Sequence, residues 1–126
     1  MKVNDKYLTA AYKVLGANAG GLLAGGRIPS VYNGYVSAFG GSMVQPGFYP
    51  AVLSYYSDEK KGKIAELIYK IYQEAEFPAT RVFPSFLDFA EANSNSRQVR
   101  NNIAQSVIAL KLVLRTFSFE NENEQL

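Results

Sequence analysis

Apolar residues recur at spacings of three and four along most of this chain, the pattern of helices that bury one face. Strict alternation of apolar and polar residues does not persist long enough anywhere to predict a strand. The pattern predicts helices over residues 6–15, 29–39, 47–56, 85–93 and 97–119, with one more between a cap at 57–58 and Pro78. We therefore expect an all-α fold, a compact bundle of about five to six helices with a long C-terminal helix.

Proline, glycine and short polar residues set the predicted helix ends. Pro29 suits the first turn of the second helix, and the glycines at 40–41 are expected to end it. The polar segment 93–96 caps the last helix. The glycine-rich stretch 16–26 has two interpretations that stay open: it breaks the first helix, or it lets that helix pack closely on a neighbour.

The length of 126 residues suits one domain, which we place at residues 1–119. Residues 120–126 (ENENEQL) form an acidic tail that we expect to be flexible. Net charge is +2, so the body without this tail is more basic, which is compatible with nucleic acid without demanding it. With neither a long apolar run nor a signal-peptide pattern at the start, we expect a cytoplasmic protein without membrane contact.

The sequence lacks the side chains of the commonest catalytic mechanisms. There is no cysteine and no histidine, which removes thiolate metal sites and the usual general base. Asp88 and Glu91 lie three apart, but a second carboxylate pair to complete a metal cage is not evident. Residues 16–21 have the GxxxxG spacing, but Leu22 and Leu23 stand where a phosphate-binding loop needs Lys and Ser or Thr. We expect no enzymatic activity, no cofactor and no metal.

The last predicted helix carries four basic residues within a narrow arc at the edge of its apolar face: Arg97, Arg100, Lys111 and Arg115. We call these four residues the basic stripe. One interpretation is a solvated helix edge, and the other is a surface that follows a phosphate backbone. Lys111 and Arg115 are like charges four apart, and Arg97 and Arg100 stand in the first turn, where the helix dipole disfavours cations. Helix stability does not explain these choices, whereas a bound anion would.

A family resemblance rests on residues 27–57, RIPSVYNGYVSAFGGSMVQPGFYPAVLSYYS. This run joins a basic residue, Arg27, to a Pro-to-Gly segment and an apolar helix that begins at Gly47. A closing helix with basic residues among apolar ones follows at 106–117. In these features the chain resembles the small subunit of the type III-B CRISPR RNA-silencing complex, the Cmr complex. It departs from that family in having Phe48 for the usual Leu and a longer glycine-rich stretch before Arg27.

The resemblance implies a non-catalytic, all-helical subunit that serves antiviral defence. Its partners would be the other Cmr subunits, including the backbone subunit, copies of itself, and the guide and target RNA. The candidate RNA-binding residues, chosen by charge and position, are Arg27, Arg97, Arg100, Lys111 and Arg115. Their role would be electrostatic, because an RNA-guided system leaves sequence recognition to base pairing. The alternative hypothesis is a protein-only helical adaptor whose basic face meets acidic partners.

Overall fold

Six α-helices and two three-residue strands make up the part of the chain that the structure, a computed structural model, describes. The described residues are 3–17, 27–44, 47–76, 83, 85–116 and 118–120. In chain order the elements are α1 (Asp5–Gly16), β1 (Arg27–Pro29), α2 (Val31–Val44), α3 (Phe48–Tyr56), α4 (Glu59–Glu76), α5 (Phe86–Ala92), α6 (Arg97–Leu114) and β2 (Ser118–Glu120). The predicted all-α bundle with a long C-terminal helix is confirmed.

Side-chain oxygens cap four of these helices, as short polar residues at helix starts predict. Asn4, Ser85 and Ser96 accept backbone N–H hydrogen bonds at 3.0, 3.1 and 3.2 Å, at the starts of α1, α5 and α6. Asp58 accepts one at 3.0 Å at the start of α4. The caps predicted at 57–58 and 93–96 are thereby confirmed, and each satisfies a donor that the helix itself leaves unpaired.

The second helix differs from its prediction at both ends. Pro29 lies in β1, and α2 begins at Val31 and continues through Gly40 and its neighbouring glycine to the end at 44. The prediction that these glycines end the helix is wrong because tertiary packing outweighs their low helix propensity. A Cβ at Gly40 would lie 3.6 Å from Val107 Cγ1, so α2 lies directly against α6 here. The chain turns instead at Gly47, whose φ of 128° suits glycine.

The last helix ends at Leu114 and not at 119 as predicted. After it, residues 118–120 form β2, which pairs in parallel with β1. Strands of three residues are too short to leave an alternating pattern, so the sequence did not predict them. Glu120, assigned above to the acidic tail, pairs with Pro29 in this sheet. Residues 121–126 lie outside the described residues.

Helix α6 packs against α1, α2 and α4. An aromatic cluster joins α2, α3, α4 and α5. Phe86 lies at the centre of this cluster, with its ring centroid 4.9 Å from that of Tyr69 and 5.8 Å from that of Phe48. Aromatic pairs at such separations stabilise a core beyond the area they bury. Among the described residues, no helix combines the length and apolar character that a membrane span requires.

Two glycines on the exposed side of α2 provide a test of this helix. A Cβ added at Gly34 or Gly41 meets no atom within 4 Å. Alanine favours a helix interior over glycine by about 1 kcal/mol per residue. We expect Gly34→Ala with Gly41→Ala to raise the free energy of unfolding by about 1–2 kcal/mol in urea titrations.

The matched control is Gly47→Ala, because Gly47 has a φ of 128° that a Cβ disfavours. This change should lower the free energy of unfolding by about 1–2 kcal/mol. A double alanine variant of α2 that unfolds more easily than the parent would contradict the helix through residues 34–41.

Candidate functional site

The basic stripe lies along the border between the buried and the solvent-exposed sides of α6. The opposite side of this helix is buried and includes Ile103, Leu110, Val113 and Leu114. Arg97 and Arg115 are exposed, while Arg100 and Lys111 are half-buried at the border of the core. A helix rises 1.5 Å per residue, so the stripe spans about 27 Å, with about 16 Å between its inner members. The structure therefore brings four of the five candidate residues onto one surface.

No carboxylate lies within 4 Å of any stripe cation in the part of the chain that the structure describes. The lysines of α1 differ in this respect. Lys6 reaches Glu76 and Lys13 reaches Glu74, each at 2.6 Å. The first turn of α6 also contains no acidic residue. Among the described residues, the stripe cations thus differ from Lys6 and Lys13 in having no ion-pair partner.

Arg27 belongs to β1, and its backbone pairs with Ser118, three residues beyond Arg115. The sheet therefore places the Arg27 backbone near the C-terminal end of α6, at the same end as Lys111 and Arg115. The side chain of Arg27 lies outside what the structure describes. Sequence reasoning did not find this proximity, because the pairing joins segments about ninety residues apart.

A groove of about 580 Å³ opens between the C-terminal half of α2 and the stretch of α6 from Arg97 to Ile108. We call it the α2–α6 groove. One wall carries Arg97, Arg100 and Asn101. The remaining lining residues are aliphatic or small: Gly40, Met43, Val44, Ala104, Val107 and Ile108. These lining residues include neither a carboxylate nor an aromatic ring. The structure thus divides the stripe, with two arginines at the groove and Lys111 and Arg115 beyond it.

The guanidinium of Arg100 is only partly satisfied. Its Nε is buried and has no hydrogen-bond partner among the described residues. A buried donor without a partner costs free energy. Sequence reasoning selected Arg100 for its charge but missed the groove. The sequence feature that could have indicated the groove is Ile108, an apolar residue that lies outside the main apolar face of the last helix.

The two carboxylates considered above as metal ligands make hydrogen bonds within the fold, and most of the glycine-rich candidate lies outside the described residues. Asp88 accepts a hydrogen bond from Ser85 Oγ at 3.2 Å, and Glu91 accepts one from Tyr49 at 3.5 Å. Among the described residues, no group of three His, Cys, Asp or Glu side chains is placed to hold a metal ion. Most of the GxxxxG candidate falls within 18–26, which the structure does not describe.

The fold and the stripe define an all-α domain with a row of four basic residues along its last helix, none of them paired with a carboxylate among the described residues. Compared with family models, curated proteins and solved structures, the chain matches none of them.

Proposed function

We propose that this protein is a non-catalytic, RNA-contacting subunit of a cytoplasmic RNA-guided effector complex of antiviral defence, holding RNA by its phosphates. The observation that carries the proposal is the basic stripe, in which no cation has a carboxylate within 4 Å among the described residues. The resemblance of residues 27–57 to the Cmr small subunit adds the setting. It supports partners of three kinds: the backbone subunit and other Cmr subunits, further copies of this chain, and the guide and target RNA.

Contact with RNA phosphates accounts for the clustering of basic residues in the stripe. Arginine and lysine contacts to phosphates position a nucleic acid without reading its sequence. Both ends of α6 carry such residues, Arg97 and Arg100 at one end and Lys111 and Arg115 at the other. An RNA strand laid along the helix would meet cations at both ends. The expected binding is electrostatic, sensitive to salt and indifferent to sequence.

The direct test removes two charges at the end of the stripe away from the groove. Replacing Lys111 and Arg115 with Gln should weaken binding of the full chain to a single-stranded RNA of about 20 nucleotides. The slope of log K against log salt should flatten by about 1.4, since each phosphate contact contributes about 0.7. Unrelated RNA sequences should be affected alike. Fluorescence anisotropy over a salt series measures both quantities.

The matched control removes the same charge from another helix. Lys60 and Lys70 are exposed on α4, and replacing both with Gln should leave the salt slope unchanged. Equal effects of the two double variants would mean that net charge, and not the stripe, attracts RNA. An unchanged slope in the Lys111 and Arg115 variant would leave the stripe as a solvated helix edge.

A further inference from the structure

The α2–α6 groove offers an apolar surface that a phosphate backbone does not use. Val44 at its rim is 81% exposed, and Ile108 and Met43 are only half-buried. Aliphatic side chains left in contact with water favour an apolar partner. RNA bases bind chiefly by stacking on aromatic rings, which the lining residues do not provide. The lining therefore favours an aliphatic occupant over a nucleotide.

The same groove also carries positive charge, which favours an anionic group in its occupant. Arg97 and Arg100 stand on one wall, and no acidic residue lines the groove to balance them. Arg100 also has its Nε buried and without a partner among the described residues. The planar fork of a guanidinium matches a carboxylate with two parallel hydrogen bonds. Phosphate fits the same fork, but the aliphatic lining favours a protein occupant, in which the matching anion is the carboxylate of Asp or Glu.

We infer that the α2–α6 groove is the docking site for a segment of a partner protein that combines Leu or Ile with Asp or Glu. A helix presenting these residues one turn apart would bring both chemistries to the groove at once. The volume of about 580 Å³ lies within the usual range of ligand pockets. Arginine is also among the residues that most often dominate binding energy at protein interfaces.

This inference goes beyond the proposed RNA contact and does not depend on it. The groove follows α6 from Arg97 to Ile108, while Lys111 lies three residues and Arg115 seven residues beyond Ile108, its last lining residue on this helix. One domain can therefore hold a partner protein at one end of the helix and RNA at the other. Arg97 and Arg100 would then serve mainly the protein contact.

The probe is a synthetic helical peptide of about 12 residues with Leu and Glu placed one turn apart. Added to the isotope-labelled full chain, it should shift the NMR amide signals of Gly40, Asn101 and Ala104. Peptides with Leu replaced by Ser, or Glu by Gln, should bind about tenfold more weakly. If the Ser peptide binds as well as the Leu peptide, the contact is only electrostatic and the inference fails.

Two variants of the protein complete the test. Ala104→Trp fills the groove without changing charge and should weaken peptide binding about tenfold, whereas Ser37→Trp, on the exposed part of α2, should not. Arg97 is exposed, so Arg97→Glu should fold and should reverse the preference toward a peptide with Lys for Glu. This reversal tests the groove even if Ala104→Trp fails to fold, and its absence would overturn the inference.

Competition with RNA separates this inference from the proposed function. If a uridine oligonucleotide shifts the groove signals and displaces the peptide, the groove is an RNA site and the inference is wrong. If the peptide binds as expected while Lys111→Gln with Arg115→Gln leaves RNA affinity unchanged, the inference stands and the proposed RNA contact fails.

Discussion

The free energy of unfolding should stay nearly constant from about pH 6 to pH 9 and fall steeply above pH 10. The plateau follows from composition, because the chain has no histidine and no cysteine, whose side chains titrate in that range. The fall follows from nine tyrosines, most of which the fold buries.

Burial raises the pKa of six tyrosines, because a phenolate loses its hydration inside the protein: Tyr7, Tyr32, Tyr55, Tyr56, Tyr69 and Tyr72. Two of them also donate to carboxylates, which raises the pKa of each hydroxyl further. Tyr7 donates to Glu76 at 2.9 Å, and Tyr56 donates to Glu66. All six hydroxyls therefore hold their protons more tightly in the folded state.

The direction of the pH effect follows from these raised pKa values. The stabilisation is fully present below the unfolded pKa of about 10 and is lost as the pH rises through the folded pKa values. At pH values between the unfolded and the folded pKa, each such tyrosine lowers the free energy of unfolding by about 1.4 kcal/mol per pH unit. Several such tyrosines acting together make the fall correspondingly steeper.

Urea titrations between about pH 6 and pH 11 measure this profile. Tyr7→Phe should reduce the alkaline slope by about 1.4 kcal/mol per pH unit. Tyr12→Phe is the matched control, because Tyr12 is 53% exposed, and should keep the slope of the parent. A free energy of unfolding that falls as much between pH 6 and pH 9 as above pH 10 would contradict the explanation.

Replacing Phe86 with Ala should lower the free energy of unfolding by about 3–5 kcal/mol. The Phe86 side chain is 0% exposed, and its ring stacks on Tyr69 with an interplanar angle of 12°. It also lies 6.5 Å from the ring of Phe39, so one side chain connects α2, α4 and α5. The neighbouring rings belong to several helices and cannot all move to fill the space, which leaves a cavity.

The control is Leu53→Ala on α3, where a large apolar side chain is 50% exposed. Its expected loss is below about 1 kcal/mol. Thermal or urea unfolding of the two variants gives the comparison. Losses of similar size in Phe86→Ala and Leu53→Ala would show that Phe86 is not in the centre of the core.

Local patterns predicted most of the helices. Spacings of three and four located α1 and α4 nearly to the residue, and prolines located the short helices α3 and α5. Short polar residues located caps such as Asp58 and Ser96. These signals succeed because a helix is stabilised by contacts within about four residues. Helical periodicity likewise predicted that the four residues of the basic stripe lie along one edge of the last helix.

The remaining features depended on contacts between distant segments. Packing against Val107 keeps Gly40 in α2, and the parallel pairing of Arg27 with Ser118 ends the helical run earlier than its spacing predicted. Sequence spacing also could not tell that the stripe cations lack carboxylate partners among the described residues, or that two arginines line a groove. A groove and an ion pair form only when separate helices come side by side. Their existence is therefore decided by tertiary packing, which no pattern within a single helix encodes.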